Sequence, residues 1–110
     1  MKILGIEHIA IVVENLENGA KFWKTVMGLD IKKQEDVPEQ GVLTDIYDLK
    51  NCKIELIQEK YPNSPISNFL KKNGPGIHHI CLEIDDIEKA ILELKSKNIK
   101  TIGSNYSIGA

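Results

Sequence analysis

The sequence predicts an α+β fold built from paired βαβββ modules that form a curved mixed sheet, with the second module incomplete (βαβ). Three observations predict it. Short runs of branched apolar residues alternate with polar residues, which is typical of half-buried strands. Two longer segments carry apolar residues at helical spacing. The order of strand and helix segments then begins again in the second half of the chain.

The first module is predicted from five consecutive segments. "HIAIVV" (8–13) is short and β-branched, so it predicts a strand. In "ENLENGAKFWKTVMG" (14–28) apolar residues recur at helical spacing, and Gly28 ends the pattern, although Gly19 lies inside it. Three further strands are predicted, the first leading into a turn at Pro38: 29–37, 41–49 and 51–59.

The second module is predicted after a loop. Residues 61–76 contain three prolines and should form a loop with one short helical piece over Ile66, Phe69 and Leu70. A strand (77–84), an amphipathic helix capped by Asp85 or Asp86, and a strand over 99–102 follow. We therefore predict a single domain over 1–110, with module one at about 1–60, a connecting loop at about 61–76 and a partial module two at 77–110.

Composition excludes several classes of partner. The 110 residues suit one domain with a modest core. The formal charge of −2 comes with no basic patch, so we expect no nucleic-acid partner. No apolar run is long enough to cross a membrane, and the start "MKILGIEHIAIVV" lacks a signal-peptide cleavage site. Cys52 and Cys81 are expected to be reduced thiols, which favours a cytoplasmic protein.

Two histidines occupy equivalent positions in the repeat. When "HIAIVVENLENGAKF" is aligned with "HICLEIDDIEKAILE", His8 falls on His79, an offset of 79 − 8 = 71 residues. A single histidine on an apolar strand more often belongs to a packed core than to a ligand set, but an equivalent pair favours a shared role. Side chains alternate along strands, so His8, Glu55 and His79 should face the open, concave side of the sheet, and His78 the helix side.

Several motifs carry a family resemblance. The βαβββ repeat with histidine on its first strand resembles the vicinal-oxygen-chelate (glyoxalase/bleomycin-resistance/dioxygenase) superfamily, and thereby a glyoxalase-like fold. Within it, "VPEQGV", "KIELIQ", "NSPISNFLKKNGPGIHHI" and "LEIDDIEKAI" are similar, in this order, to segments of the methylmalonyl-CoA epimerase family. The resemblance spans nearly the whole chain. Because that family continues past the "IGA" region, the resemblance also implies that the chain is C-terminally truncated.

The resemblance implies a metal site and a reaction. Its metal ligands fall on His8, Glu55 and His79, a donor set that suits a divalent ion such as Co²⁺, Zn²⁺, Ni²⁺ or Mn²⁺. It implies a metal-dependent epimerase that moves the α-proton of methylmalonyl-CoA through a metal-stabilised enolate. The family's base, a glutamate that is also the fourth ligand, is expected beyond Ala110, at roughly 55 + 71 = 126 by the repeat offset. The catalytic residues are thus unassigned, because Thr44 stands where some relatives carry a second acid.

Partners and alternatives follow from the same resemblance. It implies an acyl-CoA thioester substrate and a homodimer. Two other functions stay open for this fold. One is a glyoxalase I-type lactoylglutathione lyase, whose metal chemistry is closely related. The other is a metal-free protein that binds a small molecule on the same concave sheet.

Overall fold

The computed structural model of the chain describes residues 1–102, which contain five strands and three α-helices. The strands are β1 (Ile3–Val12), β2 (Ile31–Val37), β3 (Val42–Asp48), β4 (Lys53–Glu59) and β5 (Gly76–Ile84). The α-helices are α1 (Leu16–Ala20), which continues as a π-helix (Lys21–Val26), α2 (Ser67–Asn73) and α3 (Ile87–Ser96). A 3₁₀ turn (Pro38–Gln40) joins β2 to β3. The first sixty residues therefore have the predicted βαβββ order.

The five strands form one mixed sheet in the order β2-β3-β4-β1-β5. β1 runs parallel to β4, whereas β3 is antiparallel to both β2 and β4. The α+β class and the mixed sheet predicted from the sequence are confirmed. By their internal contacts the described residues divide into two compact units, Ile6–Cys81 and a second unit that contains Met1–Gly5 and residues 82–102. The modular division at about residues 60 and 77 stays a prediction.

In the unit Ile6–Cys81, apolar side chains cover both faces of the sheet. On one face a buried cluster of Tyr47, Ile54 and Leu56 packs with residues of β1 and the first helix, among them Ile9, Ile11, Val13, Leu16 and Trp23. On the other face Ala10, Val12, Val42, Ile57 and Ile66 are buried, with Phe69 and Leu70 against them. The faces of β1 and β4 follow the predicted alternation. The side of the sheet that was expected to be open is, however, covered at one end by α2 and by Ile66, the residue before it.

Hydrogen bonds fix α2 to the end of β4. The Ser67 hydroxyl donates to Glu59 Oε2 at 2.5 Å, and Ser64 Oγ lies 3.1 Å from Ser67 Oγ. Both serines are buried. Because a buried hydroxyl is costly without a partner, these bonds stabilise the position of the loop and α2 over this face.

The first helix lies within the predicted segment 14–28, and its internal glycine has a packing role. Asn15 caps it, its side-chain oxygen accepting from the Asn18 N–H at 2.8 Å, and Gly28 follows its end with a φ of 76°. A Cβ at Gly19 would lie 2.5 Å from Leu56 Cδ1. Glycine thus allows the helix to approach β4 closely.

In the second unit, Asp85 and Asp86 have separate roles. Asp86 caps α3 by accepting from the Lys89 N–H at 3.1 Å. Asp85 instead accepts from the Lys2 N–H at 3.0 Å. The helix α3 therefore has the predicted cap.

No helix within residues 1–102 is both long and apolar enough to cross a membrane.

The prediction of a strand over 99–102 is wrong. None of these residues is in a strand, because the chain there completes the end of α3. Asn98 has a φ of 60°, and the Ile99 N–H donates to the Leu94 carbonyl at 2.9 Å. This is a Schellman-type end, in which the amide that a strand ladder would use satisfies a helix carbonyl instead. The second module therefore has the order βα within the described residues.

Candidate functional site

His8 and Glu55 lie on the same face of two adjacent strands. In the parallel pairing of β1 with β4, Ala10 is opposite Glu55 and His8 is opposite Lys53. Since alternate residues share a face, the two side chains meet, and His8 Nε2 lies 3.5 Å from Glu55 Oε2. Each side chain is only 13% exposed. The sheet thus presents an imidazole and a carboxylate together in a largely buried position.

His79 reaches the same point from β5. Its Nε2 lies 3.3 Å from His8 Nε2, and the two rings meet edge to face with centroids 5.4 Å apart. The structure therefore brings each of the other two predicted ligands to the same nitrogen of His8. Within residues 1–102, however, no group of three or more His, Cys, Asp or Glu side chains is already arranged to hold an ion. His8 is the member that contacts both of the others.

His78 has a different environment. Its Nδ1 lies 2.8 Å from Nδ1 of His79, and its ring lies edge to face against Phe69 with centroids 5.0 Å apart. His78 is therefore a neighbour of His79 that is both hydrogen-bonded and packed against an aromatic ring. The expected placement on the helix side is wrong, because Phe69 packs with the cluster of Ala10 and Val12 on the opposite face. α2, which the sequence predicted only as a short helical piece, supplies this contact.

Burial and neighbouring charges shift the acid–base properties of two members of the site. Burial lowers the pKa of His79 from its usual 6.5, and the nearby His78 and His8 lower it further. The imidazole is thus neutral near pH 7, which is the form that binds metal ions. Burial raises the pKa of the Glu55 carboxyl, with Glu35 and Glu7 adding to the rise and His8 opposing it. A cation beside Glu55 would stabilise its ionised form.

Glu7, which was not predicted as a site residue, contacts the far side of the His8 ring. Glu7 Oε1 lies 2.9 Å from His8 Nδ1, and Lys53 Nζ donates to Glu7 Oε2 at 2.9 Å. The hydrogen bond from Lys53, and then that from His8, lowers the pKa of Glu7, so the carboxyl is ionised at neutral pH. Strict alternation places neighbouring residues on opposite faces, so it did not predict a contact between Glu7 and the His8 ring.

A second missed residue is Glu35 on β2. It is paired with Thr44 across the β2–β3 ladder, so the two side chains share a face, and Thr44 is opposite Ile57 on β4. Glu35 forms an ion pair with Lys33. Thr44 is buried, and its hydroxyl has no hydrogen-bond partner among the described residues. Extending the count of alternating faces to β2 would have found this carboxylate.

Asp45 and the two cysteines stand apart from this set. Asp45 is buried and accepts from Gln34 Nε2 at 2.9 Å. It alternates with Thr44 along β3 and so faces the other side of the sheet. Cys52 and Cys81 are both unpaired thiols, and burial raises the pKa of Cys81, with Glu7 and Glu55 adding to the rise. Cys81 is thus a protonated thiol at neutral pH.

A comparison with protein families decides where this fold belongs. The model of the glyoxalase/bleomycin resistance protein/dioxygenase superfamily matches residues 7–110. The chain belongs to this superfamily. The resemblance inferred from the repeat and its motifs is therefore confirmed at the level of the superfamily.

The relatives of this superfamily member include named epimerases. It is 40% identical over 106 residues to the mitochondrial methylmalonyl-CoA epimerase of Homo sapiens, covering 96% of this chain and 60% of that protein. It is 39% identical over 107 residues to the ethylmalonyl-CoA/methylmalonyl-CoA epimerase of Cereibacter sphaeroides, covering 96% of this chain and 80% of that protein. The chain thus spans somewhat less than two thirds of the human relative.

A solved structure has the same fold. The methylmalonyl-CoA epimerase from Mycobacterium tuberculosis superposes with a TM-score of 0.91 at 22% sequence identity, covering 97% of this chain and 73% of that one. The glyoxalase-like architecture predicted from the sequence is confirmed.

Proposed function

We propose that this chain carries methylmalonyl-CoA epimerase activity and uses a divalent ion held by His8, Glu55 and His79. The observation that carries the proposal is the position of His8 Nε2, which lies 3.3 Å from His79 Nε2 and 3.5 Å from Glu55 Oε2. Identity of about 40% to named epimerases supports the choice of reaction within the superfamily.

The donor set fits a divalent ion. Zinc–nitrogen bonds are about 2.0–2.1 Å long, so two nitrogens bound at a tetrahedral angle lie about 3.3–3.4 Å apart. The two imidazole nitrogens are separated by 3.3 Å. The Glu55 carboxylate lies near His8 and not near His79. For all three residues to bind one ion, either the Glu55 side chain or the His79 ring must therefore rotate. Two neutral imidazoles and a carboxylate favour Co²⁺, Zn²⁺, Ni²⁺ or Mn²⁺ over Mg²⁺ or Ca²⁺, and we propose no single metal.

When bound, such an ion would act as a Lewis acid on the oxygens of a 2-carboxyacyl thioester and make its α-proton more acidic. His8 and His79 would hold that ion through Nε2. Glu55 would contribute the negative charge. Phe69 and Ile57, which pack together on the same face, would exclude water from one side of the substrate.

Inversion at the α-carbon needs two groups, one to remove the proton and one to return it on the opposite face. We propose the Glu35 carboxylate as one of them. It shares the face of Thr44, stands outside the proposed ligand set, and lies close enough for its charge to raise the pKa of Glu55. The second group stays unassigned.

The test is isotope exchange at the α-carbon. The full chain, loaded with Co²⁺, is incubated in D₂O with one epimer of methylmalonyl-CoA. We expect deuterium at C2 together with inversion, and loss of both in His79→Ala. Asp36→Asn is the control, because Asp36 pairs with Lys60 and takes no part in the site. If the loaded chain produces neither exchange nor inversion, the proposed activity is wrong.

The dimer implied by the resemblance and the cytoplasmic location inferred from the reduced cysteines are proposals as well. A homodimer is expected to give about twice the chain mass in light scattering, and a monomer would contradict it.

A further inference from the structure

The contacts of His8 assign a proton to one of its two ring nitrogens. A carboxylate accepts hydrogen bonds and donates none. Since Glu7 Oε1 lies 2.9 Å from His8 Nδ1, the Nδ1 atom must carry the proton. A ring protonated on Nδ1 has a free lone pair on Nε2, the atom that lies 3.3 Å from His79 Nε2.

We propose that Glu7 is the positioning residue of the metal site: it holds the proton of His8 on Nδ1 and thereby presents Nε2 to a divalent ion. This inference rests on the proposed metal site. Its physical basis is the general behaviour of metal-bound imidazoles, which donate the other ring N–H to a carboxylate or carbonyl that fixes tautomer and orientation.

Lys53 completes this arrangement from the adjacent strand. It is opposite His8 in the β1–β4 ladder, and its ammonium donates to the second oxygen of Glu7 at 2.9 Å. The Glu7 carboxylate is therefore held at both oxygens, one by the ring and one by the ammonium. A side chain held at two points loses less freedom when the ion binds, so the ring direction is largely set before binding.

Two properties of Glu7 variants test this role. The first is the tautomer of His8 in the metal-free protein, obtained from imidazole ¹⁵N spectra recorded above the usual histidine pKa. The His8 signals are identified by their loss in His8→Asn. The second is Co²⁺ affinity, measured by titration calorimetry. In the wild type we expect a protonated Nδ1 and an unprotonated Nε2.

Glu7→Ala should change both properties. Without an acceptor at Nδ1 the His8 signals should shift towards a mixture of tautomers, and Co²⁺ affinity should fall roughly 10–100-fold. Glu7→Gln keeps an oxygen that can accept from Nδ1, so it should retain the tautomer and lose less affinity. Asp36→Asn, which also removes a carboxylate paired with a lysine, should match the wild type.

Three results would overturn the inference: a proton on His8 Nε2 in the wild type, an unchanged tautomer and affinity in Glu7→Ala, or an equal loss of affinity in Asp36→Asn. If Glu7→Ala does not fold, the wild-type ¹⁵N spectrum still tests the inference, because a proton on His8 Nε2 would contradict it. Should the wild type bind no Co²⁺, the proposed function fails, whereas the ¹⁵N spectra still decide the role of Glu7.

Discussion

Replacing Gly19 by alanine should destabilise the fold, even though alanine is the better helix former. The added Cβ would lie 2.5 Å from Leu56 Cδ1, whereas carbon atoms in contact prefer about 3.5–4.0 Å. The new Cβ or the Leu56 Cδ1 atom must therefore move by about 1 Å. Leu56 is fully buried in the cluster with Tyr47 and Ile54, so it cannot turn towards solvent.

The expected loss follows from two opposing terms. Overpacking of a core typically costs about 1–3 kcal/mol, and both partners here are buried, which favours the upper part of that range. The gain in helix propensity from Gly to Ala is about 1 kcal/mol. The free energy of unfolding should therefore fall by about 1–2 kcal/mol in Gly19→Ala.

Urea unfolding followed by circular dichroism measures this change, and a double-mutant cycle tests its cause. Leu56→Ala alone should cost about 2–5 kcal/mol. In that background the alanine at position 19 enters the vacated space, so Gly19→Ala should be neutral or stabilising. A Gly19→Ala protein as stable as the wild type, or an equal loss in the Leu56→Ala background, would refute the packing argument.

Three further results are expected. Burial raises the pKa of Glu55, so the stability that its protonated form provides is complete below about pH 4.5 and is lost as the pH rises through the raised pKa. Glu55→Gln should thus become more stable than the metal-free wild type with rising pH. A difference between their urea midpoints that stays the same at every pH would contradict this. Asp86→Ala removes the cap of α3 and should lower the free energy of unfolding by about 1 kcal/mol; a wild-type urea midpoint would argue against that cap. Glu35→Gln should slow epimerisation roughly 10²–10⁴-fold at unchanged Co²⁺ affinity in calorimetry, and a wild-type rate would exclude Glu35 as a base.

Alternation along strands predicted much of the site, because His8 and Glu55 both point where a period of two places them. It could not predict what depends on side-chain length or on other segments. Glu7 contacts the ring of His8, the next residue along its strand, and His78 contacts Phe69 of α2.

The end of α3 shows the same limit in the backbone. "IKTI" has the composition of a strand, but a strand also needs a partner ladder, and the amide of Ile99 is bonded within the helix end. The local sequence indicates which secondary structure a segment prefers, but not which hydrogen-bond partners the fold offers it. The repeat, by contrast, was informative because two copies of one pattern constrain each other.

The central claim is that His8, Glu55 and His79 bind one divalent ion together. Spectrophotometric titration of the metal-free chain with Co²⁺ tests it most directly, because the visible bands of bound Co²⁺ report both stoichiometry and coordination. We expect one ion per chain in the wild type and in Asp36→Asn, and loss of stoichiometric binding in His8→Ala, Glu55→Ala and His79→Ala. Wild-type binding in any of these three variants, or no stoichiometric binding by the wild type, would contradict the claim.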